Sequence, residues 1–314
     1  MSQTHKLEAT PDTVAWGYLD ARREAVLEIE SGDEVVIDTI SGEPWDLPAD
    51  AALVLPDHRS VLSAQRKEAG EGVHHLTGPV HVRGAEPGDM LQVEILEAAP
   101  RQDWGFCQIL PLKGILPAEF TEYQTTHIAI DRDRGMARTD WGVEFELDPF
   151  FGIMAVAPPP EWGRLASPVP RSFGGNLDNK ALRPGTTLYL PVFNDGALFS
   201  AGDGHGRQGD GEVCIDALET ALTGRFRLTV RKDMPTSEPF AENATHLISM
   251  GLHENLDRAS EDAVRQMVSL ITSRSAMTAS QAYMMCSLVG DLRVTQVVDG
   301  NKGVHMMYAK EYLG

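Results

Sequence analysis

Residues 200–212 hold the densest group of side chains that could do chemistry. Three carboxylates and an imidazole lie within this stretch, supplied by Asp203, Asp210, Glu212 and His205. Glycines separate them, although glycine loses more conformational freedom on folding than any other residue. We therefore interpret the stretch as a site that a ligand approaches closely. The alternative is a solvated turn, because Asp and Gly are common turn residues.

The spacing of these side chains favours a metal site. Asp203 and His205 are two residues apart, so on a strand both would point from the same face. Asp210 and Glu212 repeat that spacing. Carboxylate oxygens and neutral imidazole are ligands of zinc and related divalent metals, and an incomplete protein shell leaves room for a reactive water. The register excludes an EF-hand, and no Gly-Lys-Ser/Thr follows for a phosphate-binding loop.

Composition limits the class of protein. The 314 residues are enough for one large or two modest domains. A net charge of −19 argues against nucleic acid and against an anionic membrane surface as partners. The cysteines, Cys107, Cys214 and Cys286, are odd in number and far apart, which favours a reducing compartment. Without an apolar signal segment at the N-terminus, we expect a cytoplasmic protein.

The elements that must position these residues read mainly as short β-strands. Residues 34–40, 90–97 and 225–231 are rich in β-branched or alternating apolar residues, and Gly/Pro turns precede the first two. This pattern predicts a β-sandwich or barrel over residues 1–234. Residues 235–314 change in character and predict a smaller α/β portion.

The α/β portion should contain two helices and a hairpin. Ser260 is predicted to start the first helix, and Thr278 with Gln281 forms a capping box that opens the second. Residues 292–298 and 304–308 then read as a hairpin.

Several long motifs resemble those of the acetamidase/formamidase family. They are HLTGPV at 75–80, GAEPGD at 84–89, GGNLDNK at 174–180, PGTTLYLPV at 184–192, GALFSAGDGH at 196–205, CSL at 286–288 and GDLRV at 290–294. The likeness extends from about residue 11 to the end. It implies a jelly-roll-like antiparallel β-sandwich with an α/β addition, hydrolysis of a short aliphatic amide to a carboxylic acid and ammonia, and a homo-oligomer. The chain departs from the family pattern at Gly206-Arg207, which brings a cation beside the predicted site.

Amide hydrolysis needs an activated nucleophile, stabilisation of the developing oxyanion and an acid for the leaving amine. A divalent metal, predicted as Zn²⁺, would supply the first two. The predicted ligands are Asp38, His75, Asp203, His205 and Glu212. The predicted proton carriers are Glu212, Asp210 and Glu119. The residues predicted to bind substrate are Asn176, Asp178 and Arg207.

Most of these residues also have a structural interpretation. Asp38 interrupts an apolar β-run, where an unpaired charge would be costly, but it could face solvent on an open sheet face. His74 beside His75 means that at least one of the pair is a bystander. Asp178 lies in a Gly/Asn-rich stretch typical of turns, and Glu119 could equally begin a helix.

Two other mechanisms or functions stay open from the sequence. A cysteine amidase would need a thiol activated by Lys and Glu, and Cys214 is its candidate, since Cys286 lies in an apolar helix. A non-catalytic, ligand-binding β-sandwich would share the strands and turns.

For the metal amidase we expect apolar walls from Trp104, Phe173, Leu198 and Phe199, and a neutral amide of one to three carbons as substrate.

Overall fold

The computed structural model describes residues 2–234 and 236–314 of the chain. Its helices are α1 (Pro56–Ala64), α2 (Leu256–Arg274) and α3 (Ala279–Val289), with 3₁₀ turns at Ala51–Leu53, Pro160–Trp162 and Lys310–Tyr312. Its strands are β1 (Thr4–Leu7), β2 (Val14–Trp16), β3 (Tyr18–Leu19), β4 (Leu27–Ile29), β5 (Glu34–Asp38), β6 (His75–Val82), β7 (Met90–Pro100), β8 (Trp104–Ile109), β9 (Gln124–Asp131), β10 (Met136–Arg138), β11 (Glu144–Glu146), β12 (Phe150–Ala155), β13 (Leu165–Ala166), β14 (Gly174–Asn176), β15 (Thr186–Pro191), β16 (Phe199–His205), β17 (Leu222–Arg231), β18 (Phe240–Asn243), β19 (His246–His253), β20 (Gly290–Gln296) and β21 (Lys302–Ala309).

Two large sheets form a β-sandwich. The first has the strand order β1-β5-β17-β7-β15-β18-β19-β21-β20, and the second has the order β14-β12-β16-β6-β2 with β4 also paired to β6. Most pairs are antiparallel; β1 with β5 and β4 with β6 are parallel. Alternate side chains of β7, such as Leu91 and Val93, share one buried cluster with Phe151 and Phe199 of the other sheet. The predicted mainly β, antiparallel sandwich is confirmed.

The helices α2 and α3 cover the end of the first sheet. Met267 and Ile271 of α2 and Cys286 of α3 pack on Met306 and Tyr308 of β21. This buried face explains the helical periodicity of the C-terminal sequence.

Local signals account for the start of each helix. α2 begins at Leu256, four residues before the predicted Ser260, because the side chain of Asn255 accepts a hydrogen bond from the Arg258 N–H. The Thr278–Gln281 capping box at α3 is confirmed, as is the hairpin of β20 and β21.

The first sheet runs through both predicted parts of the chain. β18, which follows the predicted boundary, pairs with β15 from the earlier part, and β19, β21 and β20 continue the sheet in that order. Residue 235, at the boundary itself, lies outside the described residues. The division into residues 1–234 and 235–314 stays a prediction.

The second sheet positions the first part of the 200–212 stretch. β16 is a buried central strand that pairs with β12 on one side and with β6 on the other. A smaller sheet, β11-β10-β9-β8, extends beyond its end, where Glu219 forms isolated bridges with both His205 and Phe106. Glu219 therefore links the end of β16 to β8.

Candidate active site and metal centre

His205, the last residue of β16, is the centre of a buried cluster of carboxylates. Its Nε2 lies 3.3 Å from Oδ2 of Asp203, 3.2 Å from Oε1 of Glu219 and 3.8 Å from Oδ1 of Asp178. Two groups of possible metal ligands share this imidazole. One joins it to Asp203 and Glu219, and the other joins it to Asp178 and Glu212. The spacing of two predicted for Asp203 and His205 does bring both side chains together.

A neighbouring glutamine fixes the orientation of the His205 ring. Gln208 Nε2 donates to the backbone oxygen of Asp178 at 2.6 Å, so its Oε1 faces Nδ1 of His205, at 3.0 Å. Oε1 can only accept, and the neutral imidazole therefore carries its hydrogen on Nδ1. The lone pair of Nε2 then points to the carboxylates, as a metal ligand requires.

Backbone geometry brings the carboxylates inward. Asp178, Asp203 and Glu212 all have left-handed φ angles, 45°, 57° and 46°. Such angles are uncommon for residues other than glycine and concentrate at functional sites, where the surroundings hold them.

A glycine on β12 lies directly beneath the cluster. A methyl group at Gly152 would overlap Oδ2 of Asp203 and Oδ1 of Asp178, and would lie 2.9 Å from Cε1 of His205. The absence of a side chain at Gly152 is what lets these three groups converge.

The cluster carries more negative charge than its surroundings balance. Burial raises the pKa of Glu212 and Asp178 well above their usual values, and nearby carboxylates, Asp299 among them, add to the effect. Burial also raises the pKa of Glu219 to about 7, although His205 opposes it. For His205 burial lowers the pKa, but Glu219 and Asp203 outweigh burial and raise it well above its usual value.

Several of these oxygens lack hydrogen-bond partners among the described residues. They are Oδ1 of Asp178, Oε2 of Glu212, Oδ2 of Asp216, Oδ2 of Asp299 and Oδ1 of Asn176. Unpaired carboxylate oxygens are costly to bury unless a cation neutralises them. The donor set therefore fits a divalent cation.

The cluster lies in a cavity of about 330 Å³. Its charged wall includes Glu43, Asp46, His74, Lys113, Asp178, Asp203, His205, Glu212, Asp216, Glu219 and Asp299. Its apolar wall includes Ile40, Trp45, Val73, Phe106, Leu110, Ile215 and Val298. Trp104, Phe173, Leu198 and Phe199, predicted as walls, lie outside this set; Phe173 and Phe199 are buried in the core between the sheets.

His75 and Asp38 are placed differently from the other predicted ligands. His75 lines the cavity, is fully buried and has neither ring nitrogen hydrogen-bonded among the described residues, but it stacks on Trp16 and lies outside both ligand groups. Its neighbour His74 comes nearer, with Nε2 4.0 Å from Oδ1 of Asp203. Asp38 is not brought to the cluster, because its carboxylate accepts a hydrogen bond from Thr223 at 2.5 Å and faces Arg101 at 3.5 Å.

Of the remaining predicted residues, Asn176 joins the cluster by donating from Nδ2 to Oδ2 of Asp178 at 2.6 Å. Asp210, Glu119 and Arg207 are exposed and do not line the cavity. Asp210 faces Lys180 at 3.1 Å, and Arg207 donates to the backbone oxygen of Glu146. The chain turns between residues 206 and 211, so the second pair of carboxylates is split, with only Glu212 inside.

Sequence reasoning missed Glu219, Asp299 and Gln208 as parts of the site. Asp299 sits in the predicted hairpin turn, and Glu219 follows residues 200–212 by seven positions. Neither spacing has the alternation that identified Asp203 and His205. Contacts between distant parts of the chain bring both residues to the site. Glu219 is bridged to His205, and the bridge of Gly211 to Gln296 brings the end of β20, and with it Asp299, close to the cluster.

Cys214 lies outside the cavity that contains the carboxylate cluster. It lines a second cavity with Cys107, and the two sulfur atoms are 3.6 Å apart. The hydrogen bond from Cys107 lowers the pKa of Cys214 to about 6. However, the described residues lining that cavity include no carboxylate and no imidazole to relay a proton. Cys286 is buried in α3.

The fold and this site together define a β-sandwich protein with a buried carboxylate–histidine centre whose side chains could hold a metal ion. A model of the Acetamidase/Formamidase family matches residues 24–167 and 163–308. The chain belongs to that family, as its motifs indicated.

Named relatives agree with this assignment. The chain is 31% identical over 202 residues to a formamidase from Methylophilus methylotrophus, which covers 48% of this chain and 49% of the relative. It is 27% identical over 198 residues to an acetamidase from Mycolicibacterium smegmatis, covering 45% and 49%. The crystal structure of an acetamidase from Bacillus halodurans superposes with a TM-score of 0.84 at 29% identity and covers 98% of each chain. The match to the curated relatives thus spans about half of their length.

Of the helices in the described part of the chain, none has the length and apolar content that a membrane span requires.

Proposed function

We propose that this protein hydrolyses short linear amides, such as formamide and acetamide, to a carboxylic acid and ammonia, and that a divalent cation bound at His205 is required. Family membership and the names of the relatives support the reaction. The observation that carries the metal proposal is the cluster itself, in which Nε2 of His205 lies within 3.2–3.3 Å of two buried carboxylate oxygens.

These separations suit a zinc ion. Ligands bonded at about 2.0–2.1 Å in a tetrahedral shell lie about 3.3 Å from one another. Asp203, His205 and Glu219 would hold the cation, and Asp178 and Glu212 offer further oxygens beside the same imidazole. When bound, such a cation polarises the amide carbonyl and lowers the pKa of water toward about 7. The donor set is also compatible with related divalent metals, and Zn²⁺ is the identity that we propose.

Glu212 is the proposed proton carrier. Its Oε2 is buried in the cavity and has no hydrogen-bond partner among the described residues, so it can accept a proton from the attacking water. Burial raises its pKa, which would let the resulting carboxylic acid pass that proton to the leaving nitrogen. In this proposal Asp210 and Glu119, which are exposed, have no part in proton transfer.

Asn176 is proposed to orient the amide. Its Nδ2 is used by Asp178, which leaves Oδ1 as a buried acceptor for the N–H groups of the substrate. Arg207 is left out, since it is exposed and bound to a backbone oxygen of another loop.

The cavity favours a small neutral substrate. Its volume of about 330 Å³ is at the lower end for ligand sites, and its many carboxylates would repel an anion. We also propose a cytoplasmic homo-oligomer with neither nucleic acid nor membrane as partner. The net charge of −19 and the exposed apolar residues Tyr283, Met284 and Leu288 on α3 support those points.

Metal analysis of the purified protein, combined with ammonia release from formamide, acetamide, propionamide and butyramide, tests the proposal. We expect about one divalent ion per cluster. We also expect kcat/KM to fall as the acyl chain grows, with each added methylene costing about 1–3 kcal/mol of transition-state binding energy. Succinamic acid, an amide that also bears a carboxylate, is the control and should react poorly. Preference for that acidic amide, or no ammonia from any of the series, would contradict the proposal.

A further inference from the structure

Two thiols lie in a second cavity, next to the chain segment that lines the cavity of the carboxylate cluster. Cys107 is on β8 and Cys214 follows Glu212 in the chain, and their sulfur atoms are 3.6 Å apart. Both thiols are within sulfur hydrogen-bonding reach of the backbone oxygen of Asp216, at 3.9 and 3.7 Å. Both are only partly buried and line the second cavity, so a small reagent can reach them.

The segment of residues 212–219 forms a wall between the two cavities. Glu212, Ile215, Asp216 and Glu219 line the first cavity, whereas Cys214 lines the second. A shift of Cys214 would therefore act on the residues next to it that face the cluster.

We propose that Cys107 and Cys214 form an oxidisable dithiol, a reversible modification site for hydroperoxides, and that closing the disulfide displaces Glu212. The sulfur atoms must approach from 3.6 Å to about 2.05 Å. Cys107 is held in a strand paired with β9, opposite Thr126. Cys214 lies outside the named strands, so its segment supplies the movement.

The backbone around Cys214 explains why this movement reaches Glu212. Glu212 and Ile215 have φ angles of 46° and 96°, and a left-handed angle is unfavourable for a β-branched residue such as isoleucine. The segment is held by its contacts, such as the Ile115 N–H to the Val213 oxygen at 2.9 Å, and by its turn from Glu212 to Ile215. Moving one residue of such a turn changes the others.

The chemistry balances with one peroxide. One thiolate attacks a peroxide oxygen, the O–O bond breaks, and the leaving oxygen takes a proton and departs as water, leaving a sulfenic acid. The second thiol attacks that sulfur, its proton goes to the departing hydroxyl, and a second water leaves as the S–S bond forms. Two thiols and H₂O₂ become one disulfide and two waters. A dithiol reductant reverses the step.

The first test uses the full chain treated with hydrogen peroxide and then mapped by mass spectrometry. We expect a loss of two hydrogens, one linked pair of peptides containing Cys107 and Cys214, and a Cys286 that is still alkylated only after unfolding. Dithiothreitol should restore the original mass. Cys107→Ser and Cys214→Ser should each abolish the linked pair. A folded protein that consumes peroxide without forming this link would overturn the dithiol.

The second test measures the coupling, which rests in part on the proposed metal site. Oxidation should weaken Zn²⁺ binding about 10-fold or more in a chelator competition, as loss of a supporting contact commonly does. It should also speed hydrogen exchange in the peptide that contains residues 209–219. A linked protein with unchanged exchange there would overturn the coupling. If the reduced protein binds no Zn²⁺ at all, the proposed function fails, while peptide mapping and exchange still decide the dithiol.

Discussion

The two cavities on either side of residues 212–219 have nearly the same volume, about 330 and about 350 Å³, but opposite contents. The first contains His205 and a group of carboxylates. The second is lined mainly by apolar side chains, with Lys113 and the Cys107–Cys214 pair. Amide hydrolysis needs groups that carry protons and stabilise charge. The donor set, and not the size of the cavity, is therefore what favours the first cavity as the proposed active site.

The largest effect should come from filling the space below the first cavity. A methyl group in Gly152→Ala would overlap the Asp178 and Asp203 carboxylates, so we expect metal affinity and kcat/KM to fall by at least about 100-fold. Gly209→Ala is the matched control, because nothing lies within 4 Å of a methyl group there. Calorimetric metal titration and ammonia release measure both. Equal behaviour of the two variants would show that the cluster is not the working site.

A buried histidine on β21 should make stability depend on pH. Burial lowers the pKa of His305 to about 4, and its Nδ1 pairs with Thr295 Oγ1 at 2.7 Å. Between pH 6.5 and 4 the unfolded chain binds a proton at this residue that the folded chain does not. The free energy of unfolding should thus decrease as the pH is lowered from 6.5 to 4, and His305 should account for about 3 kcal/mol of that decrease.

Urea unfolding of chelator-treated protein at pH 7 and pH 4.5 measures this loss. His305→Gln is the control and should lose less stability over the same interval, since its side chain does not titrate. Identical pH dependence in both proteins would contradict the assignment. The other buried histidines contribute equally to the two and cancel in the difference.

The orientation of His205 offers a smaller test of the same cavity. Gln208→Leu removes the acceptor at Nδ1 and the donor to Asp178, so we expect metal affinity to fall by about 10-fold to 100-fold while the fold is kept. Gln208→Glu keeps an acceptor at Nδ1 and should recover part of the affinity. Competition with a chromogenic chelator gives the numbers. Unchanged affinity in Gln208→Leu would mean that the imidazole needs no such support.

Local sequence patterns predicted the parts of the site that lie on one regular element. Asp203 and His205 alternate along β16, so a spacing of two was enough to place them together. The same spacing was not enough at Asp210 and Glu212, because the chain turns there and Lys180 pairs with Asp210 at the surface.

The rest of the site depends on pairing across the chain. Glu219 reaches His205 through an isolated bridge, and Asp299 arrives with the turn between β20 and β21. Asp38 looked like a ligand because it interrupts an apolar strand, but Thr223 and Arg101, from distant segments, account for its charge. The sandwich was easier to predict, since alternation within strands such as β7 directly reflects which face is buried.

The smallest effect is expected in the second cavity. Cys214→Ser should keep kcat/KM of the reduced protein within about threefold, because the described residues lining that cavity include Lys113 but no carboxylate and no imidazole to complete a thiol mechanism. Cys286→Ala serves as the control for a thiol that is buried elsewhere. A loss of several orders of magnitude in a folded Cys214→Ser protein would make the second cavity the active one.

Reconstitution with metal tests the central claim most directly. The protein is stripped with a chelator, titrated with Zn²⁺, and assayed for ammonia release from acetamide at each step, in parallel with His205→Ala and Asp203→Asn. We predict that activity of the unmodified chain rises in proportion to the zinc bound and that both variants stay inactive with little bound metal. Full activity of the stripped protein, or normal zinc content in a folded His205→Ala protein, would contradict the account.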